Sequence, residues 1–285
     1  MKEYLKLIRP FHWVKNVLIF VPIFFSGQLF NVTKIATLIL GFIAFSLVAS
    51  SVYIINDIQD ADKDRKHPTK RFRPIASGKI SKTHARIFLA ALLIISALLI
   101  CFLVRNGVGI LAAAGLPLLY FVLNIAYSNG LKNIPLLDVV IIATGFVIRL
   151  VWGGELVSIR LSDALLLTVI SASMFLGFGK RRNELRKGTS TRKVLKAYSL
   201  PFLDKTMYIY IGLTLVFYSL WTISAKSAWL VYTVPLAMII VSDYCLIIES
   251  DSSDGDPAEV LKHSKSLLIL LGIFVVAMFL CLYLN

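Results

Sequence analysis

Negative charge is scarce in this chain: 16 acidic residues stand against 30 lysines and arginines in 285 positions. Charged residues of both signs make up only 16% of the chain and hydrophobic ones 58%, more apolar surface than a soluble domain of this length can hide in one core. That excludes an ordinary soluble protein and makes lipid the solvent for much of the chain. Cysteine is also rare. Cys101, Cys245 and Cys281 sit inside apolar runs without C-x-x-C spacing, which excludes a zinc site and a disulfide framework. No separate soluble module is left to carry a basic stripe, so nucleic acid is not an expected partner. The net charge of +14 points instead to phosphate-bearing ligands and anionic lipid headgroups. A cleavable signal peptide is disfavoured, because Pro22 interrupts the first apolar run and Ser26-Gly27 lacks a small-x-small pattern.

What is abundant is long apolar runs. A spanning helix needs roughly 17 to 25 mostly apolar residues, and that rule predicts nine spans, near 14–30, 36–57, 86–104, 107–126, 136–157, 163–180, 206–225, 228–248 and 266–284. The first is short and holds Pro22. Together they predict one all-α, polytopic membrane domain over residues 1–285. Positive charge crowds the loops after spans two (Lys63 to Lys82) and six (Arg181 to Lys205), while the opposite loops hold only Lys34, Arg105, Arg160 and Lys226. By the positive-inside rule the basic loops and the N-terminus are cytoplasmic and the C-terminus lies outside. Ser81 and Ser162 read as helix N-caps, and Asp256-Pro257-Ala258-Glu259 as a cap ahead of a short helix. Asp251, Asp254 and Asp256 lack calcium-loop spacing and read as a solvated turn.

The most informative stretch is Asn56-Asp57-Ile58-Gln59-Asp60-Ala61-Asp62-Lys63-Asp64, where span two meets water. On a helix Asp57, Asp60 and Asp64 fall at i, i+3 and i+7, with Asn56 one turn from Asp60, so four oxygen-bearing side chains share a face. Such a face suits magnesium, which takes one or two carboxylates and completes its shell with water and phosphate oxygens. Backward along that face come Tyr53, Ser50 and Ser46; the serines are read as packing and Tyr53 as a ligand contact. The following His67-Pro68-Thr69-Lys70-Arg71-Phe72-Arg73-Pro74 holds Lys70 and Arg73 on a proline-bracketed loop, while His67 is structural.

Further cations and polar groups sit at span ends. Tyr127, Ser128 and Lys132 follow span four, and Asp138, Gly145 and Arg149 line one face of span five. Arg149 lies roughly 16 Å along the helix from Asp138, so it must face the protein interior, either on substrate or on a buried acid. Lys180 and Glu184, flanked by Arg181, close span six. Lys15 is a cation at the mouth or, with Trp13, an interfacial anchor.

These residues resemble the UbiA superfamily of intramembrane prenyltransferases, over essentially the whole chain. The resemblance implies a nine-helix bundle with a cytoplasmic-side cavity, and Asn56-Asp57-x-x-Asp60-x-x-x-Asp64 looks like that family's first aspartate-rich motif, which holds magnesium against a diphosphate. Where the aromatic prenyltransferases carry a second aspartate-rich motif, this chain has Lys180-Arg181-Arg182-Asn183-Glu184. That departure, with Arg9-Pro-x-x-Trp13-x-Lys15-Asn16, His67-Pro68-x-Lys70-x-x-Arg73-Pro74, Tyr127-Ser128-x-x-Leu131-Lys132 and Gly145-Phe146-x-x-Arg149, resembles the polyprenyl-phosphate phosphoribosyltransferase branch. The implied reaction moves 5-phosphoribosyl from phosphoribosyl diphosphate to a polyprenyl phosphate. Asn56, Asp57, Asp60 and Asp64 are then expected at the metal, and Lys15, Tyr53, Lys70, Arg73, Tyr127, Lys132, Arg149, Lys180, Arg181 and Glu184 at substrate. A prenyl-diphosphate-dependent prenyltransferase is the alternative enzyme, and a transporter or lipid-binding scaffold the alternative of another class. The oligomeric state stays open, a homo-oligomer included.

Overall fold

The computed structural model describes residues 2–188, 192–225, 227–249, 260 and 264–284. The turn at Asp251, Asp254 and Asp256, the cap at 256–259 and Lys226 lie outside the described residues. Among the described residues every regular element is helical: α1 (Lys2–Ile8), a 3-10 segment (Pro10–Phe20), α2 (Val21–Phe25), α3 (Val32–Gln59), α4 (Ala61–Asp64), α5 (Lys82–Arg105), α6 (Leu116–Ser128), α7 (Leu137–Leu156), α8 (Asp163–Lys187), α9 (Leu200–Ser224), α10 (Val234–Glu249) and α11 (Lys265–Tyr283). Among the described residues eight helices are long and apolar enough to cross a membrane. Lys2–Ile8 and Pro10–Phe25 make a ninth candidate, bent by 45°. The chain is a multi-pass membrane protein.

Local sequence explains the boundaries. Ser81 Oγ accepts from the His84 amide (3.2 Å) and Ser162 Oγ from that of Leu165 (3.3 Å), the two caps expected. Asn31, Ser199 and Ser264 cap α3, α9 and α11 in the same way. The first span differs from its expected 14–30 range because Arg9 turns left-handed (φ 51°) and Pro10 restarts the chain as a 3-10 helix. Span four opens with a π-helical turn, Leu111–Gly115, just ahead of Pro117, which cannot donate to the helix ladder. Span six runs past the apolar stretch to Lys187, since lysine, arginine, leucine and glutamate all favour helix until Gly188 stops it at φ 62°.

The chain packs as two compact units, Met1–Asn129 with Ile148–Arg160, and Gly130–Val147 with Leu161–Asn285. The first is built on Ile19, Phe45, Val48, Tyr120, Trp152 and Leu156, with a second cluster of Leu7, Ile54, Ile75, Ile80 and Ala85 at one end of α3. The second unit centres on Val139, Phe175, Phe178, Leu203, Met207 and Ile248.

One close approach in the first unit demands glycine. A Cβ on Gly153 would stand 2.1 Å from the Ile19 carbonyl oxygen, a backbone atom that cannot swing aside. Gly153→Ala is therefore expected to destabilise the protein by about 1–3 kcal/mol, read as a lower unfolding temperature in detergent. An unchanged temperature would mean that the 3-10 segment moves freely.

Candidate functional site

The functional face of the first unit starts with apolar anchoring. Ile75 and Ile80 are buried in the cluster that holds Leu7 of α1 and Ile54 of α3, so the loop 65–81 is pinned to the end of α3. Gly78, at φ 77°, supplies the left-handed turn, and the Ile80 amide donates to the Pro74 carbonyl (3.0 Å). The Arg65 Nε donates to the Ala76 carbonyl (3.1 Å). His67 Nδ1 faces the amides of Thr69 (3.3 Å) and Lys70 (3.4 Å), a turn-forming role. Exposed Asp62 takes Lys82 (2.9 Å) and Arg65 (3.0 Å), and the Lys82 hydrogen bond holds its carboxyl below the usual range.

This anchoring delivers Arg73 to the acidic motif. Its Nη1 donates to both Asp57 Oδ1 (3.0 Å) and Asp64 Oδ2 (2.7 Å). Arg9 Nη2 donates to the same Asp57 oxygen at 2.6 Å, and its guanidinium lies 4.9 Å from the centre of the Tyr53 ring. Asp57 and Asp64 are only 3% and 4% exposed. The four oxygen-bearing residues thus divide. α3 stops at Gln59, Asp60 leaves helical geometry (φ −88°, ψ 1°), and α4 begins at Ala61. Asp57 and Asp64 meet on one guanidinium, while Asn56 and Asp60 stay outside that pairing. The Asn56 Oδ1 is buried with no hydrogen-bond partner, and Asp60 is half-buried with no side-chain partner among the described residues. A buried, unsatisfied amide oxygen one turn from an unpaired carboxylate fits a hard cation that keeps most of its shell for water and phosphate. No group of three or more His, Cys, Asp or Glu gathers around a metal position among the described residues.

The polar stripe behind the motif meets the N-terminal segment. Trp13 Nε1 donates to Ser50 Oγ (3.0 Å), which donates to the Ile8 carbonyl (2.8 Å), and Asn16 Nδ2 donates to Ser46 Oγ (2.8 Å). Arg149 Nε donates to Asn16 Oδ1 (2.6 Å) and Nη2 to the Tyr120 hydroxyl (3.1 Å). The rings of Phe45 and Tyr120 lie 4.9 and 4.6 Å from its guanidinium. Arg149 is 5% exposed, so π-faces and hydrogen bonds offset much of the cost of its buried charge. Lys15, Tyr53 and Tyr127 are half-buried, and Lys70 is exposed with no ion-pair partner among the described residues.

In the second unit the expected phosphate ligand Arg181 has another occupation. It is 0% exposed, its Nε donates to Asp138 Oδ2 (2.6 Å) and its Nη1 to Glu184 Oε2 (2.9 Å). Arg192 Nε lies 3.3 Å from the same Glu184 oxygen. The Tyr198 hydroxyl donates to Asp138 Oδ1 (2.6 Å) and accepts from the Leu136 amide (2.7 Å). Burial pushes that phenol up to about 12, with the Asp138 hydrogen bond adding to the shift, so it remains a donor. Arg182 binds Asp204 and, at 2.6 Å, Glu249. The acids of this unit near Arg181 and Arg182 are thus held by arginines. Lys132 and Lys180 are half-buried, and Asn183 is buried with neither amide atom hydrogen-bonded. An open cleft of about 330 Å³ is lined by Glu184, Arg192, Lys193 and Lys196.

Sequence reasoning missed Arg9 and Tyr198 as partners of the aspartates. Arg9 carried a signal, an arginine just ahead of proline at a helix start; Tyr198 lies sixty residues from its acid and carried none.

The UbiA prenyltransferase family model matches residues 17–266. The decaprenyl-phosphate phosphoribosyltransferase of Mycolicibacterium smegmatis is 33% identical, over 93% of this chain and 88% of its own length. That of Corynebacterium glutamicum is 31% identical, over 98% and 86%. The solved structure of a UbiA homolog from Archaeoglobus fulgidus bound to GPP and Mg2+ superposes with a TM-score of 0.70 at 20% identity, covering 98% of this chain and 99% of that one. The helical fold, the motif at the end of α3 and a family match running nearly from end to end lead to one statement: the chain belongs to the UbiA prenyltransferase family.

Proposed function

We propose that the chain is a phosphoribosyltransferase that moves 5-phosphoribosyl from phosphoribosyl diphosphate to a polyprenyl phosphate and releases diphosphate. The observation that carries this reading is the distribution of acids. One small donor pair, Asn56 with Asp60, is available to a cation, and around Arg181 and Arg182 the carboxylates are occupied by guanidiniums. A donor with one diphosphate and one separate phosphate needs one metal position and additional cations. The relatives of M. smegmatis and C. glutamicum bear the name of that activity.

Asn56 and Asp60 would hold magnesium, which when bound neutralises charge on the departing diphosphate. The protein's own residues do the rest. Lys70, on the pinned loop, faces the donor's phosphate oxygens, with Lys15 and Tyr53 on neighbouring elements, while Arg73, expected there from the sequence, holds Asp57 and Asp64. Lys132, Lys180 and Tyr127 are assigned to phosphate or ribose oxygens as well. The bond from the ribose anomeric carbon to diphosphate breaks as a lipid-phosphate oxygen bonds to that carbon. The acceptor is already anionic, so no general base is required. In this reading the chemistry takes place on the cytoplasmic side of a plasma membrane, which the positive charge of the basic loops supports, and the isoprenoid tail stays in the bilayer.

The test is transfer of label from phosphoribosyl diphosphate into organic-extractable lipid. Expected is incorporation that requires both magnesium and polyprenyl phosphate. Transfer of an isoprenoid from a prenyl diphosphate instead would establish the prenyltransferase reading, and absence of both reactions would favour the scaffold reading.

A further inference from the structure

We propose that Arg9 is a positioning residue that takes Asp57 away from the metal, leaving Asn56 and Asp60 as its ligands among the described residues. Three observations converge. Arg9 is one of three non-glycine residues with positive φ among the described residues, a conformation costing about 1 kcal/mol or more that persists only when the surroundings enforce it. Its guanidinium is fixed on two sides, by Asp57 Oδ1 at 2.6 Å and by the Tyr53 ring at 4.9 Å. Asp57 and Asp64 also share Arg73, so two buried carboxylates and two guanidiniums form a charge-balanced quartet in the order Arg9, Asp57, Arg73, Asp64.

The consequence is electrostatic. Three free carboxylates around a divalent ion leave the centre negative, which repels a diphosphate. One carboxylate leaves it positive, which attracts one. Cancelling Asp57 and Asp64 with Arg9 and Arg73 therefore turns an aspartate-rich motif into a site able to accept a highly charged anion. Cutting one arginine from the quartet releases an acid next to the metal position: cation binding tightens while anion binding weakens. This inference rests on the metal reading of Asn56 and Asp60 given above.

The test measures Mn2+ affinity of the full-length protein in detergent by electron paramagnetic resonance, with and without inorganic diphosphate and with no organic substrate. Asp57→Asn alone leaves guanidinium charge uncompensated and is expected to weaken Mn2+, whereas the charge-balanced double variant Arg9→Gln with Asp57→Asn is expected to stay within about threefold of the wild type and Asp60→Asn to weaken it by at least about tenfold. Arg9→Gln is expected to tighten Mn2+ by about tenfold and to weaken diphosphate binding to the Mn2+ complex, and adding Asp57→Asn to Arg9→Gln reverses the tightening. A tenfold loss of Mn2+ affinity in the double variant Arg9→Gln with Asp57→Asn makes Asp57 a ligand and overturns the proposal, as does an unchanged affinity in Arg9→Gln. If Arg9→Gln fails to fold, the double variant, which strands no charge, decides alone. Because neither organic substrate is present, a wild-type chain that fails to transfer phosphoribosyl would remove the proposed reaction and leave these affinities readable.

Discussion

Asp60→Asn is expected to lower phosphoribosyl transfer at saturating substrate by at least about 100-fold, with an unfolding temperature within the wild-type range. The magnitude follows from the donor set: loss of an outer-shell partner of a metal ligand already costs roughly 10- to 100-fold, and Asp60 is the single carboxylate of the proposed pair. Stability should hold, because the Asp60 side chain is half-buried and no described residue leans on it. The measurement is labelled transfer across a range of magnesium concentrations. Retained activity would remove Asp60 from the metal, and activity restored by high magnesium would show weakened binding rather than lost chemistry.

Arg181→Met is expected to act on folding. Asp138 is 0% exposed, and its Oδ2 accepts from Arg181 at 2.6 Å. Removing the guanidinium strands a buried carboxylate with Tyr198 as its remaining side-chain partner, which costs about 3–5 kcal/mol. The unfolding temperature in detergent should fall markedly, and adding Asp138→Asn to Arg181→Met should recover part of the loss by removing the stranded charge. A stable Arg181→Met protein whose KM for phosphoribosyl diphosphate alone rises would return Arg181 to substrate binding.

The fold was largely written in hydropathy. Lipid imposes a length on each apolar run, so span positions followed from counting, and Ser81 and Ser162 marked helix starts through capping chemistry that acts over three residues. The first span was less legible because two prolines and a left-handed Arg9 break it into pieces whose bend depends on tertiary contacts. The candidate site was legible as a set of residues but not as a set of pairings. Asp57, Asp60 and Asp64 have the same side chain, and nothing in their spacing says that two of them meet Arg73 and the third does not. Arg181 looked like a phosphate ligand because its partner, Asp138, lies forty-three residues earlier on another helix. Arg149 was open between substrate and acid, and its neighbours include an amide, a hydroxyl and two rings.

The hydrogen bonds that join Trp13 to Ser50 and Asn16 to Ser46 also bear on biosynthesis. Hydroxyls in hydrocarbon seek partners, and here the partners leave the ribosome 30 and 37 residues before the serines that need them. The insertion machinery therefore receives a matched hairpin, whose two arms can satisfy one another before any later segment is made. Delaying or deleting the first arm would present the second to lipid with its serines bare, and the nascent protein should then be degraded rather than merely inactive.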